Sequence, residues 1–130
     1  MSTLTEFVLA RNAERESVAR AADGELVGHM LVDDFGTITT DDGVGIAGYA
    51  GECLATHIVA WQPTRVLAWC ETVRRIVALR PAQITTGGGE VLSLMSPEEL
   101  EAVNAHRRMV LVYLALPDAG HPEYDPAWAV

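Results

Sequence analysis

Lysine is absent from this chain: all nine cations are arginine, against eighteen aspartates and glutamates, and the formal net charge is −9. That balance argues against general binding of nucleic acid or of an anionic membrane surface, because each phosphate contact needs a cation. It suits a partner with a basic surface. Cysteine is scarce, Cys53 and Cys70 alone, which excludes a disulfide framework; both are read as buried, reduced thiols serving as small hydrophobes. No run approaches the roughly 18 apolar residues of a membrane span. The start, Met1-Ser2-Thr3-Leu4-Thr5-Glu6, lacks the basic end and apolar stretch of a signal peptide, so the expected location is the cytoplasm. What is present, 130 residues at 49% hydrophobic content, is expected to form one domain, 1–130, with a core of its own.

The periodicity predicts an α+β, mostly helical fold: about four helices, a small β-hairpin insertion and a Pro-rich C-terminal tail docked on the body. Residues 4–22 read as a helix capped by Thr3 or Thr5 and ended by Asp23-Gly24, with Leu4, Phe7, Val8, Val18 and Ala22 on one side and Arg11 and Arg15 interrupting it. Residues 26–40 read as a hairpin with Asp33-Asp34-Phe35-Gly36 as its turn, and 41–51 as a glycine loop. A helix pair spans 52–80 and is broken at Gln62-Pro63. Its first helix carries Leu54, Ile58 and Trp61 on one face. Its second carries Val66, Trp69, Cys70, Val73, Ile76 and Val77 at helical spacing. Residues 81–95 read as a flexible linker. Ser96-Pro97-Glu98-Glu99 then gives an N-cap, a first-turn proline and a capping box for a helix over 97–116. Val110 to Leu114 has strand propensity, but the capped approach favours helix. The tail is 117–130.

Several patterns invite chemistry. Gly43-x-Gly45-x-x-Gly48 has the spacing of a dinucleotide fingerprint, whose glycines let main chain approach a pyrophosphate at a helix N-terminus. No βαβ rhythm follows, and Asp41 and Asp42 would sit beside the phosphates, so a mobile loop is the plainer reading. Cys53 and His57 are one helical turn apart, and Cys70 or His121 would add a third zinc ligand, yet no C-x-x-C pair is present. Asp33, Asp34, Asp41 and Asp42 lack the alternating spacing of a calcium loop and read as solvated turn residues. The 52–80 pair has the outline of a helix-turn-helix. The start of its second helix, Thr64, Val66 and Leu67, offers nothing to a DNA groove beyond Arg65. Arg74-Arg75 and Arg107-Arg108 are expected to pair with the many acids. No serine, cysteine or threonine lies in a nucleophile motif, and His29, His57, His106 and His121 are scattered. No cofactor or metal is expected.

Three blocks together resemble a family of short uncharacterised proteins of actinobacteria and their phages. His57-Ile58-Val59-Ala60-Trp61-Gln62-Pro63-Thr64-Arg65-Val66-Leu67, followed by Arg74-Arg75-Ile76-Val77, is similar to the family's H-I-A-x-x-D-P-x-R-V-L and K-R-R-I. Leu114-Ala115-Leu116-Pro117-Asp118-Ala119-Gly120-His121-Pro122-Glu123-Tyr124 resembles L-A-L-P-Y-A-D-H-P-x-Y, and Asp125-Pro126-Ala127-Trp128 continues it. Glu6-Phe7-Val8-Leu9-Ala10-Arg11 resembles F-L-x-A-R. Gln62 stands where the family has Asp, a better N-cap. Asp118 and Gly120 depart from Tyr and Asp, and a cysteine common before L-A-L-P is absent. The resemblance implies origin and an intact domain, and it brings no activity, cofactor or site.

The expectation is therefore a non-catalytic intracellular interaction or accessory protein, with a protein partner or a second copy and neither nucleic acid nor membrane. Trp61, Trp69, Val73, Tyr124 and Trp128 are the interface candidates, since interfaces favour Trp and Tyr. The alternatives are a phage capsid or tail component, an acidic nucleic-acid mimic that inhibits a host protein, and a small metalloprotein.

Overall fold

The structure, a computed structural model, describes residues 2–25, 29–48, 51–81 and 83–129. Its elements run α1 (Leu4–Glu25), β1 (Met30–Val32), β2 (Ile38–Thr40), β3 (Gly45–Ala47), α2 (Glu52–Ala60), α3 (Pro63–Ala78), β4 (Gln83–Thr85), β5 (Val91–Ser93) and α4 (Pro97–Ala115), then short 3₁₀ turns at Leu116–Asp118 and Pro126–Trp128. The mostly helical α+β expectation holds. The chain divides into two compact units, residues 1–11 with 73–130, and residues 12–72.

In the first unit, Thr3 and Glu6 form a reciprocal cap at the start of α1. Thr3 N–H donates to Glu6 Oε2 at 2.7 Å, and Glu6 N–H donates to Thr3 Oγ1 at 3.2 Å. The predicted capping box of Ser96 and Glu99 starts α4, and 110–114 is helical. The core gathers Leu4, Phe7, Val8, Val73, Val77, Leu111, Val112, Ala115 and Trp128, with Leu114 and Tyr124 packed on it. The linker reading of 81–95 is corrected: β4 and β5 pair antiparallel, Ile84 opposite Leu92.

In the second unit, the glycine-loop reading of 41–51 is likewise corrected. β3 lies within it and pairs with β2, so the hairpin is a three-stranded meander, β1-β2-β3. Leu26, Val27 and Gly28 of the expected hairpin, and Tyr49 and Ala50 of the expected loop, lie outside the described residues. Met30, Ile38 and Ala55 form a small core backed by Val32 and Val59. Asp23-Gly24 does not end α1, which runs to Glu25. A glycine within a helix weakens it without stopping it.

One turn design recurs. Asp33–Gly36, Thr40–Gly43 and Thr86–Gly89 each close with the glycine N–H donating to the carbonyl of the first residue. In each, the first residue's N–H donates to the carbonyl just beyond the glycine (Thr37, Val44, Glu90). This is a type I turn plus a left-handed glycine that forms the bulge. Gly36, Gly43 and Gly89 have φ of 71°, 81° and 82°, a region that side chains with a Cβ rarely occupy.

Candidate interaction surface

The described residues of the glycine-rich segment form a hairpin turn and a strand. Gly43 closes a hairpin turn and Gly45 opens β3. Asp33 Oδ1 accepts from the N–H groups of Phe35 and Thr37, Asp41 from His29 N–H, and Asp42 from the Thr40 hydroxyl. The Asp42 carboxyl is held below its ordinary value chiefly by that hydroxyl. These acids are engaged in turn geometry, as their composition suggests. Among the described residues no three of His, Cys, Asp and Glu are grouped to hold a metal ion. Cys70 is buried, but Cys53 is exposed, which corrects the expectation of two buried thiols.

His121 sits on the tail with Arg11. The Arg11 guanidinium, on a residue only 8% exposed, donates to His121 Nε2 and meets Glu123 Oε2 at 3.2 Å. It also stacks over the Phe7 ring at 5.5 Å. Phe7 touches His121, Tyr124 and Trp128 at centroid distances of 5.9, 5.8 and 5.2 Å, and Tyr124 meets Trp128 edge-on at 5.5 Å. The tail is docked by this aromatic set. Asp125 caps its last turn by accepting from Ala127 N–H. Trp128 and Val73 are buried in the core and Tyr124 is half-buried on it. Arg107 donates to the Val77 carbonyl at 3.2 Å, near the end of α3, where an acid was the expected partner.

Trp61 and Trp69 stand differently, each about half exposed. On α2 the shared face is the outer one: Leu54 and Ile58, with Trp61 just beyond the helix, are exposed, while Ala55 is fully buried. The broad apolar moment of a short helix does not say which part of it faces the core. Gln62 accepts from Met30 N–H at 3.3 Å through its side chain. Its carbonyl receives the N–H groups of Arg65 and Val66 at the start of α3. That corner sets Trp61 beside α1, and the Arg65 guanidinium lies over the indole at 5.9 Å. The result is a groove of about 500 Å³ lined by Glu14, Arg15, Val18, Ala19 and Ala22 of α1 and by Trp61, Pro63 and Val66. All eight belong to the second unit. Val18 is 72% exposed here.

A family model described as a family of unknown function (DUF6221) matches residues 1–130. The chain belongs to this family. No curated protein and no solved structure matches it. Membership bears out the expectation of a family without an assigned role, and residues 57–77 and 114–128 are the blocks on which that expectation rests. In this DUF6221 protein those blocks hold the Trp61–Gln62–Pro63 corner and the docked aromatic tail. No described helix is long and apolar enough to cross a membrane.

Proposed function

We propose that this DUF6221 protein is a non-catalytic interaction or accessory protein of an actinobacterium or actinophage, and that it docks a protein partner in the Trp61 groove. One observation supports this above others. The groove collects Val18, Trp61 and their apolar neighbours at the surface, with those two residues 72% and 54% exposed. A small-molecule site would enclose most of its ligand. A shallow apolar surface carrying a tryptophan is the composition of a protein interface. Two of the histidines that catalysis would draw on are engaged otherwise, His106 by the Ala102 carbonyl and His121 by Arg11.

A photo-crosslinking residue at position 18, produced at native level in the source cells, tests the reading. The same residue at Leu92, an exposed apolar position of the first unit, is the control. A discrete protein adduct at 18, absent at 92 and lost on adding Trp61→Asp, is expected. No adduct at 18, or equal adducts at both, ends the proposal.

A further inference from the structure

We infer that the occupant of the groove is a cationic amphipathic helix of another protein; this rests on the docking role proposed above and names the partner's chemistry. The first argument is charge. Residues 12–72 hold ten of the eighteen acids and three of the nine arginines, so this unit carries −7 of the total −9. An apolar groove set in such a surface selects a partner whose apolar face is flanked by lysine and arginine.

The second argument is local. On α1 the groove line runs through Val18 and Ala22, and Glu25 follows at the next helical step. The last turn of α1 contains Asp23 and Glu25 and no basic residue. Helix C-termini favour cations, because the macrodipole ends there in negative charge. Neither the Asp23 nor the Glu25 side chain makes a hydrogen bond or ion pair among the described residues. A helix that breaks its own end rule beside an apolar groove is completed by a cation from outside.

The third argument concerns the form of the occupant. The groove walls are helices whose main chain is bonded internally, so strand addition is unavailable and recognition falls to side chains. Ala19 and Ala22 in the floor let a helix approach closely. A second copy fits less well, because it brings a further −9 to the same surface.

The test uses the full chain and two fluorescent 18-residue helical peptides with one shared Leu/Val/Ala face, flanked in one by Lys and Arg and in the other by Glu. The cationic peptide is expected to bind at least tenfold more tightly at low salt, with the advantage shrinking as salt rises. Trp61→Asp should abolish its binding, and Asp23→Lys with Glu25→Lys should weaken it severalfold. Equal binding of both peptides, lost in Trp61→Asp, overturns the cationic preference and leaves the docking role standing. If neither binds while position 18 crosslinks to a second copy, the occupant is the chain itself and this inference fails alone. If neither binds and position 18 gives no adduct, both fail.

Discussion

Asn12 and Cys70 hold one another through their main chains. Asn12 Nδ2 donates to the Cys70 carbonyl at 3.0 Å, and Cys70 Sγ–H donates to the Asn12 carbonyl at 3.7 Å. Asn12 is 2% exposed and Cys70 is fully buried. A buried amide that ties α1 to α3 fixes their register within the second unit, and the groove is built on those two helices. Asn12→Ala removes the donor and should cost about 1–2 kcal/mol. Urea unfolding measures it. An unchanged midpoint would show that the pair contributes nothing. Asn12→Asp should cost more, since it sets a charge against a carbonyl out of water.

The two thiols should separate cleanly. Cys53 is exposed and Cys70 is not, so a thiol reagent should modify one equivalent in the folded protein and the second only on unfolding. Peptide mapping should place the first label on Cys53. Fast labelling of both under native conditions would contradict the burial of Cys70.

The three glycine turns explain what was legible in the sequence and what was not. Asp33-Asp34-Phe35-Gly36 is readable as a turn because apolar residues stand on both sides of it. Thr40-Asp41-Asp42-Gly43 and Thr86-Gly87-Gly88-Gly89 have the same geometry. All the strands around these turns are three residues long, too short for alternation to show. The helices were legible because caps and prolines mark their ends, as at Ser96-Pro97. Which face of α2 is buried was not legible: a small residue, Ala55, occupies the core while Trp61 faces outward. The groove follows from that outward indole.

Glycine substitutions should therefore have opposite signs. Gly43→Ala places a Cβ at φ 81° and should cost about 1–2 kcal/mol. Gly24 lies within α1, and a Cβ there would meet nothing within 4 Å. Gly24→Ala should stabilise by about 0.5–1 kcal/mol through the smaller entropy of the unfolded chain. Thermal melts of the two single variants decide it, and movement in the same direction would refute the turn assignment.

The tail anchors by its rings. Trp128 is 8% exposed in the first unit's core, so Trp128→Ala should cost about 3–5 kcal/mol. The Tyr124 hydroxyl is buried with no hydrogen-bond partner among the described residues. Removing an unsatisfied polar group costs nothing and relieves its desolvation. Tyr124→Phe should leave stability unchanged or raise it by up to about 1 kcal/mol. A large loss in Tyr124→Phe would mean that the hydroxyl has a partner after all.

The start of α1 should respond to acid through Glu6. Its carboxyl is held below the ordinary 4.5, first by the Thr3 main-chain N–H and then by the Thr3 hydroxyl. Because the folded state favours the carboxylate, this contribution is complete above pH 4.5 and fades as pH falls through the lowered value. Carboxyl-detected NMR titration should place the Glu6 midpoint below 4.5. In Thr3→Ala the midpoint should move only part of the way back, since the main-chain donor, the larger cause, remains. In Glu6→Gln the titration is gone, and the fall in stability on acidification should be shallower, with the Asp42 carboxyl still contributing. A Glu6 midpoint at or above 4.5 in the unaltered chain would mean that the reciprocal cap of Thr3 and Glu6 does not form in solution.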